Sequence, residues 1–230
     1  MKKLFAFIYI ALFFAHYTFA QEYFNVSLYQ VNVRINKDAS LDIDETIDIN
    51  FSQERHGIFR RIPIRYTFPE VSSDVDQMQW QMKSEGDMKI TVVNIEVKKW
   101  EFTARTEGDF KVIKIGSINK FVNGNQQYKI HYRILNAVLF FETHSELCLN
   151  IIGDGWPTTI DKVNYRVELP DSIPTLPDYF VSTGIAGSTA NHTSGIWENN
   201  RFLYGTTTQK LSAKEGVTIG IKFPKDYLTK

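Results

Sequence analysis

The sequence of 230 residues is poor in the features on which disulfide-bonded and metal-binding proteins depend. Its single cysteine, Cys148, excludes an intramolecular disulfide and a cysteine-rich zinc site. The 26 basic residues match the 26 acidic ones, and this balance argues against a nucleic-acid-binding protein. Glycine (13 residues) and proline (7 residues) are too scarce for a collagen-like or low-complexity chain.

The one long apolar run lies at the N-terminus. Met1-Lys2-Lys3 is a short basic start, and Leu4 to Ala15 are twelve uncharged, mainly apolar residues. Ala20 then precedes polar residues, and this order is typical of a secretory signal peptide. Twelve helical residues cover about 18 Å of a hydrocarbon core roughly 30 Å thick, so we prefer a cleaved signal peptide over a retained anchor. We predict cleavage after Ala20, export across the cytoplasmic membrane, and a location in the cell envelope on its extracytoplasmic face.

From Tyr23 onward, apolar and polar residues alternate with a period of two, which is typical of strands with one buried face. A turn at residues 36–40 separates the first two alternating runs and predicts a long antiparallel hairpin. Glu45 is the one acidic residue in phase with the apolar positions of the second run. The phase slips by one residue at Tyr29-Gln30, which predicts a β-bulge there.

Similar alternation recurs down the chain, and no long helical pattern accompanies it. The fold class that we predict is therefore all-β, an antiparallel β-sandwich in a single domain over residues 22–225. We expect residues 226–230 to begin a linker towards a membrane anchor beyond this chain. Three other segments carry predictions of their own: a helical turn within Ala137–Phe141, a loop over Glu70–Gly86, and a mobile excursion over Ser182–Asn191. The further alternating runs lie at 90–97, 100–104, 110–115, 128–134, 163–169 and 217–223.

Two segments carry a more specific signal. The first runs from Ser40 to Ile47 (SLDIDETI) and continues after Phe51 with the HGIFRRIP of residues 56–63. The second is the YKIHYRI of residues 128–134, followed by Glu146-Leu147, Asn150, Gly153 and Trp156-Pro157. In this order the motifs resemble the N-terminal domain of the DUF2207 family of predicted membrane proteins. The resemblance covers most of the chain after residue 20.

The resemblance implies an extracytoplasmic β-sandwich tethered to a membrane, and it implies no activity. The sequence departs from the family pattern at Leu149, where the family has a tryptophan. Family members usually continue into transmembrane helices, whereas this chain stops at Lys230. We therefore expect membrane association through regions outside this chain. The expected partner is an unidentified protein or glycan at the cell surface, without nucleic acid, cofactor or metal.

Polar residues near the second motif are the first candidate site. Glu146, Cys148 and Asn150 share one strand face, and Leu147, Leu149 and Ile151 share the other, which we predict to be core. The polar face then points to a rim or to the opposite side of the sheet, where Glu146 and Asn150 either clamp a ligand or organise the loop before Trp156. We prefer the second role, because polar groups in β-proteins usually pair locally.

Three further residues complete the candidate binding set: His56, Arg60 and Trp156. His56, His144 and Glu146, with Asp154, are the only group with acid–base or metal-ligand character, but we prefer a histidine bonded within the Gly57 turn. Arg60 either contacts anionic headgroups or, as we prefer, pairs with Glu45 or Asp44. Trp156 is predicted to be buried; an exposed indole would instead indicate a sugar-stacking platform.

These residues leave three hypotheses for function. The first is a non-enzymatic extracytoplasmic module for protein interaction or sensing. The second is a carbohydrate-binding module, which requires exposed aromatic rings along one sheet face. The third is a hydrolase that uses Glu146 with Asp154 or a histidine as an acid–base pair.

Overall fold

The computed structural model describes residues 23–67 and 87–230, and every regular element in these residues is a β-strand. The predicted signal peptide and the whole predicted loop at Glu70–Gly86 lie outside the described residues. The strands are β1 (Phe24–Ile35), β2 (Leu41–Arg55), β3 (Ile58–Pro63), β4 (Arg65–Thr67), β5 (Asp87–Lys89), β6 (Thr91–Lys98), β7 (Phe102–Glu107), β8 (Phe110–Ile115), β9 (Val122–Leu135), β10 (Val138–Phe140), β11 (His144–Ile152), β12 (Val163–Glu168), β13 (Asp178–Gly184), β14 (Thr193–Glu198), β15 (Phe202–Thr207) and β16 (Gly216–Pro224).

These strands form one large sheet and three smaller ones. The seven-stranded sheet has the order β14-β15-β12-β1-β2-β9-β6, and the four-stranded sheet has the order β10-β11-β16-β13. A three-stranded sheet, β3-β8-β7, and the pair β4-β5 complete the fold. The all-β class is therefore confirmed. The pairing is antiparallel throughout except for β1, which runs parallel to β12 from Tyr29 opposite Val163 to Arg34 opposite Glu168.

The predicted hairpin of β1 and β2 is present, but its bulge lies earlier than predicted. The register shifts between Val26 and Leu28, so Leu28 turns away from the core and Tyr29 turns into it. Tyr29 is fully buried and in phase with Val31 and Val33. The prediction of a slip at Tyr29-Gln30 is wrong because it took Leu28 rather than Tyr29 as the inward residue.

A single hydrophobic core joins the sheets of the sandwich. It combines inward residues of the seven-stranded sheet, such as Ile47 and Tyr128, with those of the four-stranded sheet, such as Leu149 and Ile219. The predicted core residues of β11 are all buried in it: Leu147, Leu149 and Ile151. Leu228 also packs in this core, and the Thr229 amide donates to the Lys37 carbonyl. The domain boundaries stay a prediction.

One local prediction is wrong, and the start of another predicted segment is shifted. Residues 137–141 hold the short strand β10 instead of a helical turn, because Val138, Leu139 and Phe140 pair with β11. Strand β13 extends through Gly184 into the predicted excursion at Ser182–Asn191, and Thr183 is buried there. The Thr183 amide donates to the Ala190 carbonyl, so the two ends of this excursion are joined by a hydrogen bond.

Candidate functional site

Arg60 and Glu45 form an ion pair inside the protein. Both side chains are about 1% exposed, and the guanidinium donates through Nε and Nη2 to the carboxylate at 2.7–3.1 Å. Glu45 lies on β2 and Arg60 on β3, so the pair connects the seven-stranded sheet to the three-stranded sheet. The preferred pairing of Arg60 with Glu45 is confirmed, and a guanidinium so enclosed is not available to a headgroup at the surface.

Two tyrosines complete the polar cluster around this pair. The Tyr132 hydroxyl donates to Glu45 Oε1 at 2.7 Å. Tyr29 is fully buried beside the pair, but its hydroxyl makes no hydrogen bond of ordinary length and angle. Burial and the neighbouring Glu45 carboxylate raise the pKa of both tyrosines well above the usual value, so both stay neutral at physiological pH. Burial alone would lower the pKa of Arg60, but Glu45 together with Tyr29 and Tyr132 outweighs burial and raises that pKa.

Glu146 is fully buried, so of the two places predicted for its strand face, a rim or the opposite side of the sheet, the rim is wrong. A second, smaller apolar cluster covers that face: Cys148 packs there against Leu139, Phe141 and Phe180. Glu146 Oε1 lies 2.8 Å from His144 Nε2, and His144 Nδ1 lies 3.0 Å from the Thr143 hydroxyl. Since a carboxylate only accepts, the Nε2 hydrogen donates to Glu146, and Nδ1 of the neutral ring then accepts from Thr143.

A shallow cleft of about 320 Å³ lies in front of His144. Apolar residues such as Phe141 and Leu228 line it together with the charged residues Lys225 and Asp226. The ring of Phe141 stacks on His144 at 5.1 Å, so only 11% of the His144 side chain remains exposed. The histidine therefore separates the cleft from the buried Glu146 carboxylate.

Asn150 and Trp156 have structural contacts. The Thr218 hydroxyl donates to Asn150 Oδ1 at 2.7 Å across the β11–β16 pair. Trp156 is 3% exposed and packs edge-on against Tyr29, with ring centroids 5.7 Å apart. The prediction of a buried Trp156 is confirmed, and this residue provides no sugar-stacking surface. The groups next to the preceding Gly153 belong to β3, with Arg60 and Pro63 among them.

His56 lies far along the chain from the other candidates and has its own partners. Its Nδ1 atom lies 3.2 Å from the carbonyl oxygens of Ser117 and Lys120, so this nitrogen carries the hydrogen and donates. Its ring lies on Phe121 with centroids 4.1 Å apart. His56 is therefore hydrogen-bonded to backbone, as predicted, but its acceptors lie in the β8–β9 loop and not within the Gly57 turn.

The five candidates do not converge on one site. Arg60 and Trp156 both border Tyr29, His56 lies at the β8–β9 loop, and Glu146 and Asn150 bond to other strand residues. Within residues 23–67 and 87–230, three or more histidine, cysteine, aspartate or glutamate side chains nowhere gather as metal ligands. The candidate set omitted Glu45 and Tyr132. Glu45 could have been found, because it is a carboxylate in phase with apolar residues. Tyr132 could not, because alternation shows it only as a core position.

A comparison with protein families extends these observations. The family model described as "Predicted membrane protein (DUF2207) N-terminal domain" matches residues 25–223, most of the chain. The chain belongs to the DUF2207 family. Within residues 23–67 and 87–230, no helix of this DUF2207 domain is long and apolar enough to cross a membrane.

A curated relative of the DUF2207 domain is itself uncharacterized and therefore assigns no activity to it. The uncharacterized protein YciQ of Escherichia coli is 25% identical over 146 residues, which cover 62% of this chain and 22% of YciQ. The chain thus matches about a fifth of that relative's length.

Solved structures resemble the DUF2207 domain only loosely. Native leukotriene A4 hydrolase from Saccharomyces cerevisiae aligns with a TM-score of 0.44 and 11% identity, over 86% of this chain and 29% of the hydrolase. An M1 zinc metallopeptidase from Deinococcus radiodurans aligns with a TM-score of 0.41 and 7% identity, over 87% of this chain and 43% of the peptidase. Likeness at this level says nothing about the activity of the DUF2207 domain.

Proposed function

We propose that this chain is a non-enzymatic module for protein interaction or sensing, on the extracytoplasmic side of a membrane-associated protein. The observation that carries the proposal is the placement of its ionisable groups. The Arg60–Glu45 pair is enclosed by the sheets, and the buried Glu146 is bonded to His144, the one member of the two pairs that lines a cleft. A catalytic acid or base has to reach a substrate proton within hydrogen-bond distance, and both carboxylates are instead buried against their own partners.

The extracytoplasmic location is supported by the order of residues 1–20, a basic start, an apolar run and a small residue. Expression of the full chain in a bacterial host, followed by intact-mass measurement of the exported protein, tests it. We expect a mature chain that begins at Gln21. An exported chain that still begins at Met1, or a chain that stays in the cytoplasm, would contradict the signal-peptide prediction.

The non-enzymatic part of the proposal is tested with the hydrolase hypothesis as its competitor. Wild-type protein and a Glu146→Gln variant are assayed on a panel of chromogenic esters, glycosides and peptides. We expect no turnover above buffer for either protein. Turnover by the wild type that is lost in a Glu146→Gln variant with an unchanged melting temperature would overturn the proposal.

A further inference from the structure

The large hydrophobic side chains that remain exposed fall into two groups. One group lies at the end of the molecule where β1 begins, and the other lies along β13 and β14. Exposure is highest in the first group at Ile118 (72%) and Phe121 (62%), and in the second at Ile185 (64%) and Ile196 (63%). The first group is Tyr23, Phe59, Phe102, Ile118 and Phe121, and the second is Leu176, Tyr179, Ile185 and Ile196.

The first group gathers around the β8–β9 loop, and we call this region the tip (residues 23, 55–59, 101–102 and 114–121). Arg55 pairs in register with Val122, the residue after Phe121, and its guanidinium lies over the Tyr23 ring at 4.4 Å. The amide of Gly116 donates to the Glu101 carbonyl, which brings the start of β7 to the same place. Five exposed apolar side chains therefore occupy one end of the sandwich.

The tip loop is fixed before any partner arrives. His56 binds the carbonyl oxygens of Ser117 and Lys120, as described above. Gly57 and Gly116 face each other with φ of 126° and 122°, and a Cβ on either would lie 1.9 Å from a backbone oxygen of the other turn. This approach requires glycine on both sides. A fixed loop loses little conformational entropy when a partner binds.

Each cation at the tip adjoins an exposed aromatic ring. Arg55 covers Tyr23, Lys114 is the cross-strand partner of Phe59, and Lys120 precedes Phe121. Glu101 is the one carboxylate among the residues of the tip, and Glu54 borders it, so the three cations leave a net positive charge of one even when Glu54 is counted. A ligand that covers the rings with apolar groups would bring its own acidic groups next to these cations.

The tip also lies at the opposite end of β1 from the last residues of the chain. Thr229 donates to Lys37, in the turn that follows β1, whereas Tyr23 immediately precedes β1. The twelve residues of β1 span about 40 Å at roughly 3.3 Å per residue. Because the family model is described as the N-terminal domain of a predicted membrane protein, and because we predict that residues 1–20 are cleaved off, we expect the membrane part to follow in sequence, at the end away from the tip.

We infer that the tip is a docking surface for a protein segment that carries apolar side chains flanked by carboxylates. The inference rests on the proposed function, since it names the partner chemistry of the interaction module. The distance from the membrane-proximal end favours a protein over a lipid surface. The apolar rings supply contact area, and Arg55, Lys114 and Lys120 select against basic segments.

A random twelve-residue peptide library displayed on phage and selected on the full chain tests the inference. We expect the enriched peptides to combine aromatic or aliphatic residues with Asp or Glu. Ile118→Ser/Phe121→Ser should weaken a selected peptide at least tenfold, and Lys114→Glu/Lys120→Glu should weaken it severalfold. The matched control is Ile185→Ser/Ile196→Ser, which removes two equally exposed apolar residues elsewhere and should leave binding unchanged.

Other outcomes separate this inference from the proposed function. Selected peptides that bind the tip variants as tightly as the wild type would leave an interaction module but overturn the tip as its site. Absence of any selected motif would count against both. Two further results would contradict a protein segment as the partner. One is flotation of the wild type with vesicles of phosphatidylcholine and phosphatidylglycerol, and the other is a dimer in sedimentation velocity. Either result counts if it is lost in the Ile118→Ser/Phe121→Ser variant.

Discussion

Glu45 and Glu146 are both buried carboxylates on strands, and each is paired with a basic side chain, but the two pairs differ in kind. Glu45 receives a fork of hydrogen bonds from a guanidinium and a further one from Tyr132. Glu146 receives a hydrogen bond from His144, whose ring lies at the cleft. A guanidinium can bond a carboxylate through two nitrogens at once, whereas the His144 ring bonds Glu146 through one.

The difference shows two ways in which this fold tolerates a charge inside. The Glu45 cluster is buried and connects two sheets, so it holds those sheets in place relative to each other. The Glu146 pair lies within one strand, and the His144 side chain is 11% exposed. We therefore expect the first pair to dominate stability, and the second to contribute less.

The largest effect is expected from breaking the Glu45–Arg60 pair. Glu45→Gln or Arg60→Met leaves one buried charge without its partner and should lower the free energy of unfolding by about 3–5 kcal/mol. Urea unfolding of each single variant and of the double variant Glu45→Gln/Arg60→Met measures this. The double variant should lose less than the sum of the two singles, and strict additivity would contradict a direct pairing.

Two tyrosines on β9 give a matched test of the same cluster. Tyr132→Phe removes a hydroxyl that donates to Glu45 and should cost about 1.5–3 kcal/mol. Tyr128→Phe removes a buried hydroxyl that makes no hydrogen bond and should be close to neutral. Equal losses from the two substitutions would show that the hydrogen bond to Glu45 contributes little.

The second pair should give an intermediate effect. Glu146→Gln replaces an acceptor of the His144 hydrogen bond by an amide and should cost about 1–3 kcal/mol in the free energy of unfolding. Thermal unfolding measures the loss, and binding screens against glycans and metals accompany it. An unchanged melting temperature together with loss of a specific ligand would make this pair a functional site.

Cys148 shares the strand face of Glu146 and probes how tightly that face is packed. Its sulfur takes part in no disulfide within the chain and is buried against Leu139, Phe141 and Phe180. Cys148→Ser keeps the size of the side chain nearly constant and should cost at most about 1–2 kcal/mol. A dimer sensitive to reducing agent and absent in the variant would contradict a passive role.

The smallest effect is expected on the outer face of the strand that carries Glu45. The Asp42 carboxylate accepts from Arg133, at 2.7 Å from its Nε, and these hydrogen bonds lower the pKa of Asp42. A lowered folded pKa gives stability that is present above the unfolded pKa of about 3.9 and lost as the pH falls through the folded value. Asp42→Asn should therefore cost about 0.2–1 kcal/mol at pH 7, and its gap to wild type should close below about pH 4. A gap that widens in acid would contradict this sign.

Much of the fold could be predicted from the sequence because β-alternation records which face is buried. The hairpin turn at residues 36–40 and the in-phase Glu45 follow from that alternation, whereas the partner of Arg60 was left open between Glu45 and Asp44. The bulge was misplaced because Leu28 and Tyr29 are adjacent apolar residues, and alternation alone does not decide which points inward. Tertiary contacts put the tyrosine inside, against Trp156.

The site was harder to predict, because burial depends on residues distant in sequence. Alternation assigns one face of β11 to the core but does not show that Leu139 and Phe180 cover the other face. Glu146 was therefore expected at a rim or on the opposite side of the sheet and is in fact enclosed. The tip was missed for the same reason, since Tyr23, Phe59 and Phe121 come together only when β1, β3 and the β8–β9 loop meet.

The parallel pairing of β1 with β12 has a consequence for the order of folding. The first strand of the domain lies inside the seven-stranded sheet, and one of its neighbours begins at Val163, about 130 residues later in the chain. Contacts so distant in sequence form slowly, because a long loop has to close before they stabilise anything. During synthesis from the N-terminus, one edge of β1 therefore stays unpaired until most of the domain has been made. A truncated chain that ends before Val163 would keep that edge open, and an open edge is a template for aggregation.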